Sequence, residues 1–171
     1  ANFADAIERV QFSNSSENPS TTPRIVHIVA NDGDVNSNTA VTTINVTAVN
    51  DAPVAAIVPA TYAAIEQTDL TLKGTGLSIA DIDAGSGSMT VVLSVGEGAI
   101  TATAGDSGAT VSGSGTASIT ITGTLAQVNA LLGASGTSTL IYNSSLNNPS
   151  ASTTLTLQVN DNGNTGGGAL I

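Results

Sequence analysis

AVNDAPVAA, residues Ala48–Ala56, separates two runs rich in Thr and Val, and its reading decides the architecture. Either Asn50-Asp51-Ala52-Pro53 is a turn inside one domain, or it joins two copies of the same module. A search for internal repeats separates the two. FSNSSENPS (Phe12–Ser20) returns as IYNSSLNNPS (Ile141–Ser150), and VANDGD (Val29–Asp34) returns as QVNDNGN (Gln158–Asn164). Asn14 aligns with Asn143 and Asp32 with Asp161; 143 − 14 and 161 − 32 both give an offset of 129. Two anchors at one spacing place residues 50–53 at a repeat junction. Pro53 has no N–H to donate, so β-pairing is expected to stop there.

The domain reading follows. Residues 1–49 are the closing part of an upstream repeat, 50–53 the junction, and 54–171 a second repeat. Ala40 opens the strand AVTTINVTAV, and the same offset carries it to Ala169, so the second copy is expected to lack most of its last strand. An unpaired edge of that kind invites strand exchange, with residues 24–48 supplying the equivalent strands to a neighbouring molecule.

Composition narrows the class. Hydrophobic residues are 40% of the chain, aromatics 2% and charged residues 9%, so the core is aliphatic and the surface is mostly Ser, Thr, Asn and Gly. That surface suits strands and turns. Arg9, Arg24 and Lys73 stand against 13 acidic residues, a net charge of −10, which excludes a partner bound through a phosphate backbone and so excludes nucleic acid. Without cysteine there is no disulfide and no thiolate metal site. The chain has no apolar run long enough to insert in a membrane and no signal segment, and reads as a segment of something longer.

Apolar residues alternate with period two, the mark of half-buried strands. In RIVHIVA, Ile25, His27 and Val29 share one face, with Val26, Ile28 and Ala30 on the other; Ile44, Val46 and Ala48, then Ile119 and Ile121, then Leu155, Leu157 and Val159 repeat the pattern. GTLAQVNALLG differs, with Leu125, Val128, Leu131 and Leu132 at helical spacing, Thr124 as N-cap and Gly133 past the end. It predicts a short crossover helix, of which Phe3 and Ile7 are the remnant in the first copy. Short strands, polar turns and one small helix predict an all-β fold, an antiparallel Greek-key β-sandwich of Ig or cadherin type.

The run from Val10 through VNDAPV, and LSIADIDAG with GTLAQVNALL and LTLQVNDNGNTGGGAL after it, resembles the cadherin-like tandem repeats of large bacterial exoproteins and surface adhesins. The resemblance implies modules used in series, an extracellular or cell-surface location, a stalk or adhesive role, and calcium at the junctions. Cadherin junctions pair an Asn-Asp linker with a later Asp-x-Asp motif. Asn50-Asp51 and Asp81-Ile82-Asp83 match them, 30 residues apart by 81 − 51. Glu66 resembles the acidic residue early in such a domain and Asp161 a later one. The implied metal ligands are Asn50, Asp51, Glu66, Asp81, Asp83 and Asp161. Ala48 stands where the fuller linker has Asp, an Asn before the Ala-Pro is absent, and the upstream Asp-Arg-Glu segment has no match.

Calcium takes about six to eight oxygen ligands from carboxylates, amides and main-chain carbonyls. With Ile82 turned into the core, Asp81 and Asp83 would present two carboxylates together; the competing reading is an Asx turn before Gly85. For Asp32, Asp34 and Asp161 a turn role competes equally with a ligand role. An EF-hand loop opening at Asp81 would need Glu where Val92 stands. Enzymatic activity is not expected: His27 is the only histidine and there is no Cys nucleophile or Gly-x-Ser-x-Gly elbow. A second reading is a module that binds a glycan or protein through loops such as 104–116.

Overall fold

The computed structural model describes residues 7–163, and the chain divides into two units, Ala1–Val49 and Asn50–Ile171. In the first unit, β1 (Arg24–Ile28) pairs antiparallel with β2 (Ala40–Ile44), from Arg24 opposite Ile44 to Ile28 opposite Ala40. The β2 ladder ends four residues earlier than the alternating pattern does, yet Ile44, Val46 and Ala48 remain the half-buried members of that run. Of the expected helical remnant, Phe3 lies outside the described residues, and Ile7 accepts a turn bond from the Val10 N–H.

The second unit is built of antiparallel sheets. Its strands are β3 (Val54–Ile57), β4 (Leu70–Thr71), β5 (Leu77–Ala80), β6 (Ser88–Val95), β7 (Ala99–Thr103), β8 (Thr110–Ser112), β9 (Ser118–Thr124), β10 (Thr139–Asn143) and β11 (Leu155–Asn160), with one helix, α1 (Leu125–Leu132), between β9 and β10. They form sheets in the orders β11-β6-β9-β8, β4-β10-β7 and β3-β5. Among its described residues the second unit is therefore all-β with one short helix that carries it from one sheet to the next.

Alternation explains the core. In β6, Met89, Val91, Leu93 and Val95 are buried, and their neighbours face outward; Ile119 and Ile121 of β9, Ile100 of β7 and Leu140 of β10 meet them. Val128, Leu131 and Leu132 of α1 are fully buried against the same cluster. Each buried aliphatic side chain contributes roughly 1.5–3 kcal/mol, which compensates for the scarcity of aromatic rings.

The helix start is encoded locally. The Thr124 hydroxyl accepts from the Gln127 N–H, and the Gln127 side chain accepts from the Thr124 N–H, a complete capping box. Thr124→Ala is expected to lower the stability of the second unit by about 1 kcal/mol, read from denaturant unfolding; an unchanged midpoint would show the cap to be dispensable. The helix in turn steadies β5. Asn129 Nδ2 donates to the Ile79 carbonyl at 2.8 Å and its Oδ1 accepts from the Ile79 N–H at 3.0 Å, so one amide serves as a strand partner two residues before Asp81.

Candidate metal centre

The repeat survives in three dimensions at NDG and NDN. In the first copy Asn31 Oδ1 accepts from the Gly33 N–H, Asp32 Oδ1 accepts from the Asp34 N–H, and Gly33 is left-handed at φ +106°. In the second, Asn160 Oδ1 accepts from the Asn162 N–H, Asp161 Oδ1 accepts from the Gly163 N–H, and Asn162 is left-handed at φ +58°. Each residue sits 129 positions after its counterpart. Both Asp32 and Asp161 thus close a turn, but the two differ in setting: Asp32 is exposed, whereas Asp161 is fully buried.

What buries Asp161 is the start of its own unit. Asn50 Nδ2 donates to Asp161 Oδ2 across 111 residues of sequence and also to the Asp51 carbonyl. The Asp51 main-chain N–H donates to Asp83 Oδ2 at 3.1 Å. Strand register explains the meeting. Val54 pairs with Ala80, so the residues before β3 lie beside those after β5, while Asn160 pairs with Thr90 at the same end of the other sheet. Buried Pro53 fixes the path from Asp51 into β3.

Asp81 plays two parts. Its Oδ1 accepts from the N–H groups of Asp83 and Ala84, closing an Asx turn. Its Oδ2 is shut off from solvent with no N–H or O–H donor in reach, as is Asn50 Oδ1. Desolvation, with the Asp83 carboxylate close enough to share a proton, raises the Asp81 pKa above its ordinary value. The expectation that Ile82 points into the core is overturned: it is 60% exposed. Leu77 and Ile79 are the inward positions of β5, so Ile82 falls on the outward side with Ser78 and Ala80, while the Asx turn carries Asp83 and Ala84 inward. The two carboxylates converge because of the turn.

A raised carboxyl pKa has a definite sign. The folded chain keeps its proton to higher pH than the unfolded chain, so stability falls as pH rises from the ordinary value through the raised one. The metal-free second unit is expected to gain stability on acidification from neutral pH toward the ordinary carboxylate range, with Asp81→Asn flattening the dependence. Thermal unfolding at several pH values checks it, and equal slopes in both proteins would refute it. Asp106, held low by the Thr137 N–H, acts oppositely and only below the ordinary carboxylate range.

Of the six residues implied as ligands, five gather at this end of the unit. Glu66 does not. It lines a groove with Ile57, Val95 and Leu155, the opposite ends of the ladders that bring Val54, Thr90 and Asn160 together. Residue spacing placed it early in the module but could not show which way the irregular 58–69 segment runs. Asp51 brings a main-chain N–H to Asp83. The latch missed by sequence reading is Asn162, whose Nδ2 donates to the Ser88 carbonyl and whose Oδ1 accepts from Thr90 Oγ1, locking the NDN turn to β6. Its only sequence signal is alignment with Gly33. The 104–116 segment is tied down: Thr110–Ser112 is β8, and Asp106 Oδ1 accepts from the Thr137 N–H at 2.7 Å.

Among the described residues no group of three or more His, Cys, Asp or Glu side chains is placed to hold a metal ion by itself. The donor set is mixed instead: two adjacent carboxylates, a third joined through an amide, and two buried oxygens that accept no hydrogen bond. Oxygen-only sets of this kind suit a hard cation such as calcium, which takes amide oxygens alongside carboxylates and is held more tightly as more of the ligands are charged. No family model, curated protein or solved structure matches the chain. Among the described residues no helix is long and apolar enough to cross a membrane.

Proposed function

We propose that the chain is a stretch of a repetitive, extracellular bacterial adhesin, in which Ig- or cadherin-like Greek-key sandwiches follow one another as spacers and a calcium ion stiffens the acidic end of each module. The observation that carries this reading is the convergence of Asn50, Asp81, Asp83 and Asp161 with two buried acceptor oxygens left over. The Greek-key reading draws support from β6 lying between β9 and β11, neighbours that are not consecutive in sequence. The shared Asx turns support the tandem reading.

In such a module Asn50, Asp81, Asp83 and Asp161 hold the ion, and calcium supplies positive charge that offsets the repulsion among the carboxylates. The role is mechanical, and no residue is assigned to catalysis. The same anchor ties the first residues of a module to its last turn, so ion binding joins the two ends of a module that the sequence sets 111 residues apart. Calcium added to the metal-free chain, followed by thermal unfolding, tests the proposal. Absence of any response specific to calcium would refute it.

A further inference from the structure

We propose that the open edge of β11 is the docking site for the Ala40–Ala48 strand of a second copy of this chain. Three observations lead there, and none depends on whether an ion is bound.

The first is the edge. Among the described residues β6 is the one strand hydrogen-bonded to β11; β3 lies against β11 without joining its ladder, so the main-chain groups of that edge are unpaired by any strand. Leu155–Asn160 carries no charge, no proline and no bulge, the devices that usually protect an edge. At the far side of the same sheet the edge strand β8 is only three residues long. Leu155, Leu157 and Val159 point inward yet stay half-buried, unlike the fully buried Val91 and Leu93 on the neighbouring strand.

The second is the repeat, which names the occupant. β1 and β11 are the same strand of the repeat, offset by 129, and β1 is already paired with β2. Transferring that established interface sets Ala40 opposite Leu157, Val41 opposite Thr156 and Thr42 opposite Leu155. Ile44, Val46 and Ala48 then continue past Leu155 along the 149–154 segment. That segment lines the groove of about 500 Å³ between Ile57, Leu70, Tyr142 and Leu155. In it the Ser144 hydroxyl is buried without a hydrogen-bond partner. The strand AVTTINVTA is uncharged, matching a groove whose only charged lining residues are Glu66 and Glu97.

The third is availability. β2 belongs to a two-stranded sheet whose residues are mostly exposed, and such hairpins are marginal in water. Moving β2 onto β11 exchanges one ladder for another and adds burial of Ile44, Val46 and Ala48. Because β2 would run antiparallel to β11, its C-terminal end leaves at the groove, opposite the Asn50–Asp161 end. The donor's own second unit starts there, so copies add head to tail, a contact that forms an open series unless it closes into a ring.

The test uses the absence of native cysteine. Val41, Thr156 and Gln158 are exposed positions, so replacement leaves the core intact. An equimolar mixture of the Val41→Cys and Thr156→Cys variants, mildly oxidised, is expected to yield at least about tenfold more heterodimer than Val41→Cys with Gln158→Cys, because a direct cross-strand pair is within disulfide reach and the diagonal one is not. Light scattering of the unmodified chain at rising concentration is expected to show a series of oligomers. Equal cross-linking in both registers, or a monomer at every concentration, overturns the proposal. So does a disulfide that forms only within single chains of the Val41→Cys/Thr156→Cys double variant, since the donor is then the chain itself.

Discussion

Saturating calcium is expected to raise the melting temperature of the Asn50–Gly163 unit by about 5–12 °C. Extracellular calcium modules bind at about 10⁻⁴ to 10⁻³ M, so calcium at about 10 mM lies ten- to a hundredfold above the dissociation constant. Mass action converts that ratio into about 1.4–2.7 kcal/mol, and a domain near a hundred residues gains roughly 4 °C per kcal/mol. The response has a structural source. Asp81, Asp83 and Asp161 are drawn to one end of a chain that already carries a net charge of −10, Asp161 accepting from Asn50 Nδ2 and Asp83 from the Asp51 main-chain N–H. A divalent ion removes repulsion that monovalent salt only screens. Melting curves in calcium, in magnesium and in sodium chloride of equal ionic strength separate the two effects. Magnesium, which demands a tighter octahedral shell, is expected to give a smaller shift. If sodium chloride reproduces the calcium curve, the carboxylates are merely being screened and the site is lost.

Much of this was legible in the sequence because it rests on local rules. Period-two alternation located β1, β9 and β11, helical spacing with Thr124 and Gly133 located α1, and the alignment of NDG with NDN marked two segments that fold as equivalent Asx turns. The junction was legible because Pro53 cannot extend a ladder. Ile82, however, was set inward so that Asp81 and Asp83 could present their carboxylates together, although Leu77 and Ile79 already put the inward face of that run at the odd-numbered positions. Glu66 was implied only by the resemblance to an early acidic residue of such modules, and it lies in an irregular segment where no pairing pattern fixes direction. The Asn50 contact with Asp161 combines both kinds of information. Each residue was visible alone, but only the registers of β3 with β5 and of β11 with β6 bring them together.

That contact yields the sharpest separation between a structural and an ion-binding role. Asp161 is fully buried, and its two oxygens accept from Asn50 Nδ2 and from the Gly163 N–H. Asp161→Ala takes both acceptors away and is expected to cost about 2–3 kcal/mol in metal-free buffer, the usual penalty for leaving buried donors unmatched. Asp161→Asn removes charge while keeping one oxygen. The introduced amide can donate to Asn50 Oδ1, which otherwise accepts nothing, once the Asn50 side chain turns over. Its metal-free stability is therefore expected within about 1 kcal/mol of the parent chain, helped by relief of repulsion from the neighbouring carboxylates. Both variants are expected to lose most of the calcium-induced rise in melting temperature. The pair of measurements matters more than either alone: a residue that only closes a turn would let the Asn variant keep its calcium response, whereas a ligand would not. Full retention of that response in Asp161→Asn, with stability preserved, would remove Asp161 from the ion site and leave it as the latch between the first and last turns of the module.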